Sequence, residues 1–238
     1  MGRLLKDPSI IVLIILMLYM SISGGRFSDP MGWLWLTLMT LPGIILAITF
    51  HEFAHAYSAY KLGDDTPKIQ RRVTLNPLAH LDPIGIVCII FVGFGWGRPV
   101  MVDPRNFSKR KRDEIIVSLA GVVTNFILAI VLTIVLMMVW RATGVGGAGI
   151  FGQIVVRAIW INLILMVFNL LPIPPLDGFS VVSELLGIKY TEIWFKLHRF
   201  GFWILIPLIL LGVISSILSV TASPLFDFLI SVARNFAM

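Results

Sequence analysis

Charge is scarce in this chain. Asp, Glu, Lys and Arg together supply 13% of its 238 residues, against 58% hydrophobic residues, and the mean hydropathy is +0.93. That balance excludes a water-soluble protein and reads as an integral membrane protein held in a lipid bilayer. There is one cysteine, Cys88, in an apolar run, which excludes an intrachain disulfide and leaves an inert packing residue. Long polar loops are missing too, so 1–238 reads as a single integral membrane domain with no room for a separate soluble one. The formal net charge of +6 comes from basic residues in short loops without interleaved aromatics. That pattern argues against nucleic acid as a partner and for membrane topology as the cause. The amino-terminal stretch imitates a signal peptide, with Arg3 and Lys6 before an apolar run, but it has no small-x-small cleavage site and further spans follow.

What the chain does have is long apolar segments. Those at about 9–23, 33–60, 114–140, 153–173 and 200–221 can cross or nearly cross a bilayer, which needs roughly 20 helical residues. A shorter stretch, 84–97, carries Gly85, Gly93 and Gly95. If it dips in and returns, 15 of the 19 Lys and Arg residues share one side with the amino terminus; if it crosses, the asymmetry vanishes. The positive-inside rule therefore predicts a re-entrant segment at 84–97 and a cytoplasmic amino terminus. Thr66 to Pro77 has partial alternation, β-branched residues and flanking prolines, which predicts a short extended segment or hairpin. Such an edge could hold an unwound peptide by strand addition. The tail from Leu225 to Met238 is weakly amphipathic and is expected on the membrane surface. The fold class is thus an all-α polytopic membrane protein of about five to six transmembrane helices, with a short re-entrant or β-hairpin segment near the cytoplasmic face.

Within this apolar setting lies His51-Glu52-Phe53-Ala54-His55. From Met31 to Phe50 there is no ionisable residue, and after His55 the chain stays uncharged to Lys61. An ionisable group at bilayer depth costs roughly 2.5–3.5 kcal/mol, so three together call for a function. Four residues apart on a helix, both imidazoles share a face, and Glu52 sits about 100° round the axis. This is the zinc-metalloprotease signature, with the glutamate as general base. A third protein ligand is then needed, and His80, Asp82, Asp177, Glu184 and His198 are the candidates. Asp177 stands out, because it follows an uncharged run from Ala158 and a proline break at Pro172-Ile173-Pro174-Pro175. Irregular backbone at membrane depth is tolerated where it is buried in protein or lines a wet cavity. Asp177 could also simply cap the helix that follows.

The same chain contains Asn76-Pro77-Leu78-Ala79-His80-Leu81-Asp82-Pro83, then Ala120-Gly121-Val122-Val123-Thr124-Asn125, then Asn169 through Gly178. Together with His51 to His55, in this order over about 50–185, they resemble the site-2 protease family of intramembrane zinc proteases, in its compact branch without a PDZ domain. The resemblance implies a three-helix core from 33–60, 114–140 and the segment ending near Asp177. It implies one Zn2+ per chain on His51, His55 and Asp177, Glu52 activating water, and Asn169 holding the scissile carbonyl or its oxyanion. The implied substrate is a transmembrane protein cut within or next to its span, as in regulated intramembrane proteolysis. Val122 stands where the family often has proline, and Phe179 where it often has a second glycine; both touch packing more than chemistry. Asn76, His80 and Asp82, on the cytoplasmic side, are candidates for a substrate or water path, with His80 equally readable as a structural hydrogen-bonding residue. Asn125 reads as a hydrogen-bonding residue between helices, with Gly121 allowing their close approach. A divalent-metal transporter and a catalytically silent relative that binds membrane proteins are the rival readings. Glu52 counts against the first, since transport needs no general base. Short loops and the lack of a eukaryotic targeting signal point to a prokaryotic plasma membrane.

Overall fold

The computed structural model describes residues 28–92, 95–144 and 149–237, so the expected first span at 9–23 lies outside the described residues. In chain order the helices are α1 (Pro30–Lys61), α2 (Thr66–Ile69), α3 (Pro77–His80), α4 (Pro83–Val92), α5 (Arg110–Thr143), α6 (Ile150–Leu170), α7 (Asp177–Leu185), α8 (Glu192–Arg199), α9 (Gly201–Leu210) and α10 (Val213–Ala237). No strand occurs among the described residues. Four helices, α1, α5, α6 and α10, are long and apolar enough to cross a membrane, and α8 with the later part of α9, bent by 50°, makes a possible fifth span. The molecule is an all-α polytopic membrane protein.

Local chemistry sets the helix ends. Asp29 starts α1 by accepting the Gly32 N–H at 2.9 Å, with Pro30 in the first turn, where its missing N–H costs nothing. At the head of α5 the Asp113 carboxylate accepts the Lys109 N–H at 2.9 Å. Gly144, at φ +63°, closes the same helix in the left-handed conformation.

Helices α1, α5 and α6 pack against one another, with α10 against α5 and α6. Their shared core holds Val122, Ala129, Leu136 and Trp140 of α5, Val155, Ile159, Leu163, Met166 and Val167 of α6, and Ala222, Leu229 and Ala233 of α10. Lipid is as apolar as leucine, so close packing of small residues has to hold such helices together. Ala47, Ala56, Ala59, Ala129, Ala222 and Ala233 are accordingly all fully buried. The outward face of α5 carries Val123, Ile127, Val131, Ile134 and Met138 in the open, which suits contact with acyl chains.

Three expectations change. The last long helix runs over Val213–Ala237, not 200–221, because Gly212 takes φ +73° and separates α9 from α10. The carboxy-terminal stretch therefore continues a spanning-length helix, with Leu229 and Ala233 buried against the bundle, rather than lying apart as a surface tail. Thr66 to Pro77 is not extended: Asp64 Oδ1 accepts both the Thr66 N–H and its hydroxyl, and Asn76 Oδ1 accepts the Leu78 N–H, so helical turns α2 and α3 form instead. Capping side chains beat the weak alternation there. The stretch 84–97 begins as α4, whose ten residues reach about 15 Å, half a bilayer core. An isolated bridge then pairs Leu81 with Gly97, so the segment returns to its starting level.

Asp64 ties these loops to the bundle. It is fully buried and also accepts Asp103 N–H at 2.8 Å and Asn106 Nδ2 at 2.7 Å. Burial pushes its carboxyl up, but the hydrogen bonds from Thr66, Asn106 and the Asp103 amide hold it below its ordinary value. A depressed folded-state value stabilises above the unfolded value, near 3.9, and the benefit fades as pH falls through the folded one. Asp64→Ala is expected to lose about 1–3 kcal/mol of stability at pH 7. Thermal unfolding in detergent should show the gap to wild type shrinking as pH falls below about 3.9, and a gap of constant size would contradict the assignment.

Candidate metal centre

Helix α1 carries His51, Glu52 and His55 where its inner face meets α5. The imidazole rings of His51 and His55 lie edge to face with centroids 4.6 Å apart, and their Nε2 atoms are 3.0 Å apart. This proximity needs a gap in the opposing helix. Gly121 of α5 supplies it: a Cβ there would fall 2.5 Å from His51 Cε1 and 2.6 Å from His55 Nε2.

Asp177 arrives from the far end of α6. That helix stops at Leu170, and the proline-rich turn delivers Asp177 as the first residue of α7. Gly178 lets the turn fold tightly back, since a Cβ on it would sit 2.2 Å from the Leu170 carbonyl oxygen. Asp177 Oδ2 ends 3.1 Å from His51 Nε2 and 3.3 Å from His55 Nε2. Its side chain makes no capping bond to α7, so the capping alternative finds no support in the geometry.

The far nitrogens show what this trio lacks. His51 Nδ1 lies 2.6 Å from Asn125 Oδ1, and His55 Nδ1 lies 2.7 Å from the Val117 carbonyl oxygen. Both partners accept, so each Nδ1–H donates, which in a neutral ring leaves the Nε2 lone pair facing inward. Asp177 Oδ2 has no hydrogen-bond donor of its own. Three atoms able to ligate thus converge 3.0 to 3.3 Å from one another, which suits a shared cation. Tetrahedral zinc with ligands at about 2.0–2.1 Å spaces them about 3.3 Å apart, close to the separations here. His51, His55 and Asp177 form the group among the described residues able to hold a metal ion. Outer partners of this kind set ring orientation and ligand basicity in metal sites.

Glu52 lines the same cavity, and its Oε2 accepts the Val100 N–H at 3.1 Å from the segment that follows α4. The cavity measures about 790 Å³. One wall is apolar, with Ile161, Ile164 and Leu165 of α6 and Leu205 and Ile209 of α9. The wall also holds Glu114, Lys189 and Tyr190, where the Glu114 carboxylate takes the Lys189 ammonium and, at 3.0 Å, the Tyr190 hydroxyl. Asn169 lines the cavity while its Nδ2 donates to Leu165 O of its own helix at 3.0 Å.

The remaining sequence candidates lie elsewhere. Asn76 caps α3, Asp82 Oδ1 accepts the Gly85 N–H, and buried His80 donates from Nε2 to the Thr74 carbonyl; none of the three lines the cavity. Glu184 faces Lys189, and His198 stacks on Trp194. Sequence reading passed over Asn162, which meets Asn125 inside the bundle, and the Glu114–Lys189–Tyr190 cluster. Asn162 could have been flagged as an amide in an otherwise apolar helix. The Val117 carbonyl leaves no sequence signal at all.

Comparison with known proteins places this geometry in a family context. Residues 147–211 match the family described as peptidase family M50. Over 169 residues, 69% of this chain and 77% of the relative, the sequence is 43% identical to "Putative zinc metalloprotease YwhC" of Bacillus subtilis. It is 28% identical over 190 residues, 76% of this chain and 70% of the relative, to "Putative zinc metalloprotease Rip2" of Mycolicibacterium smegmatis. No solved structure matches.

Because Gly121 has no space for a methyl group, Gly121→Ala should push the two imidazoles off their places. The strain expected for overpacking, about 1–3 kcal/mol, corresponds to a zinc affinity weaker by about tenfold or more. Chelator competition on the purified protein would read this, and wild-type affinity would show that the helices can part at no cost.

Proposed function

Because this chain belongs to peptidase family M50, the site-2 protease family of zinc metalloproteases, and carries its polar site on helices of spanning length, we propose that it cuts peptide bonds within or next to transmembrane segments of membrane proteins. The observation that carries the reading is the convergence of three atoms able to ligate, His51 Nε2, His55 Nε2 and Asp177 Oδ2, in a cavity shared with Glu52 and an apolar wall. A membrane-derived peptide would find in that wall a surface like the one it left.

In this reading His51, His55 and Asp177 hold the zinc that the relatives' names imply. Zinc bound there supplies a Lewis acid for the peptide carbonyl and brings the acidity of water to near neutral pH. Glu52 takes the proton from the attacking water and later hands it to the departing amine. The Val100 N–H keeps the Glu52 carboxylate turned toward the segment lining the cavity. Asn169 turns its amide from Leu165 O toward the carbonyl oxygen as negative charge develops, a role typically worth about 2.7–4 kcal/mol. A substrate helix hides its carbonyls in its own hydrogen bonds, so it must unwind before it can be cut, and helix-weakening residues near the cut ease this. Segment 84–97 re-enters from the cytoplasmic side, and the basic loop 97–113 remains there with the amino terminus.

The decisive experiment is cleavage of transmembrane peptides by purified protein with zinc quantified in each sample. Glu52→Gln is expected to lower cleavage by about 10²–10⁴-fold while one zinc per chain is retained. Asp177→Asn should weaken both zinc binding and cleavage. Activity surviving in Glu52→Gln would remove Glu52 as the base, and an inactive wild type with full zinc would favour a binding protein over an enzyme. For topology, Lys111→Cys in a Cys88→Ser background should react with an impermeant thiol reagent only from the cytoplasmic side; labelling from outside would invert the orientation.

A further inference from the structure

We infer that Asn125, backed by Asn162, is a positioning residue that fixes which ring nitrogen His51 offers to the metal; this rests on the zinc-peptidase reading above and adds two residues outside the ligand set. A neutral imidazole has one hydrogen and two nitrogens, and it binds metal only through the bare one. For His55 the choice is made by the main chain, since Val117 O accepts from Nδ1 at 2.7 Å and no side-chain substitution removes that oxygen. For His51 the choice falls to a side chain, Asn125, whose Oδ1 lies 2.6 Å from Nδ1.

An amide is an unreliable acceptor by itself, because rotation by half a turn exchanges its oxygen for its NH2 group. Turned that way, Asn125 would donate to His51 Nδ1, the hydrogen would move to Nε2, and the ring would present N–H to the metal. The structure blocks the turn. Asn125 Nδ2 donates to Asn162 Oδ1 at 2.9 Å and to Ala47 O at 3.3 Å, so its oxygen can only face His51. Asn162 is fixed in the same manner, its Nδ2 donating to Ala158 O at 2.8 Å. Both asparagines are fully buried, which keeps out any water that could substitute. The relay therefore runs Ala158, Asn162, Asn125, His51, from α6 through α5 to α1. Two asparagines serving only to join helices would need each other and nothing more. Here the chain of oriented amides ends on a ligand ring.

The test uses full-length protein in detergent, zinc affinity by chelator competition, and nitrogen NMR of the zinc-free protein, whose four histidines keep the imidazole spectrum simple. Asn125→Leu removes the acceptor and should weaken zinc by about 10–100-fold, the usual cost of losing an outer partner. His51 in that variant should shift its hydrogen from Nδ1 toward Nε2. Asn125→Asp keeps an acceptor for Nδ1–H while losing the donation to Asn162 and Ala47 O, so part of the lost zinc affinity should return. Asn162→Leu leaves the Asn125 amide free to turn and should give an intermediate loss. Wild-type affinity and tautomer in Asn125→Leu would overturn the relay, as would Asn125→Asp losing as much affinity as Asn125→Leu. If Asn125→Leu does not fold, unchanged affinity in Asn162→Leu overturns it instead. A wild-type chain holding no zinc while His51 keeps its hydrogen on Nδ1 would overturn the metal reading beneath.

Discussion

A polar group at membrane depth has no water to turn to, so each hydrogen-bonding atom there must find its partner within the protein. The bundle is built around this requirement. Two imidazoles, two amides and a carboxylate sit among helices whose other inward residues are mostly aliphatic, and nearly all their atoms are matched. His51 and His55 place one nitrogen each on a carbonyl oxygen, Asn125 donates to Asn162 and to Ala47 O, and Asn162 donates to Ala158 O. The unmatched remainder is two Nε2 lone pairs and Asp177 Oδ2. Leaving three acceptors bare in an apolar interior is expensive unless a cation joins them. The convergence of these three atoms thus marks the site more sharply than the presence of histidines does.

The same requirement explains the shape of the backbone around the centre. Gly121 exists as a gap because two rings occupy the place where a side chain of α5 would project. The run of prolines after α6 abandons helical hydrogen bonding next to the cavity, where exposed backbone groups meet a polar site rather than lipid. Gly178 then lets α7 start close enough for Asp177 to reach the rings of α1. Three segments spread over more than a hundred residues of chain are held in register by contacts that each fill a definite space.

Away from the centre, the loops between α1 and α5 follow water-side rules. Asp64 gathers four donors, Arg72 donates to the carbonyls of Ala79 and Arg98, and His80 holds Thr74. This platform carries the segment whose Val100 amide meets Glu52, so the polar loops orient the group read here as the base without lining the cavity themselves. His80 illustrates the distinction: wholly buried and bonded to the main chain, it belongs to the scaffold rather than to the cavity wall.

The sequence by itself determined the class of the protein, the all-α membrane architecture and the set of side chains worth watching. Apolar run length reflects bilayer thickness directly, and a charged residue at depth is costly enough to be conspicuous in one dimension. His51, Glu52, His55 and Asp177 drew attention for that reason, and the structure brings His51, His55 and Asp177 together; Asn169 was named by the resemblance to site-2 proteases. The last span was misplaced, because a break at Gly212 depends on a local backbone angle, and hydropathy averages over such a feature. The loop at Thr66 to Pro77 was misread, because side-chain oxygens of Asp64 and Asn76 that accept backbone N–H groups outweigh a short alternating pattern. Only the tertiary structure decided that Asn162 meets Asn125, that a main-chain carbonyl orients His55, and that Asn76, His80 and Asp82 stand outside the cavity. Those facts depend on which faces of α1, α5 and α6 meet and at what height, and packing of helices against one another fixes that relation where no single segment encodes it.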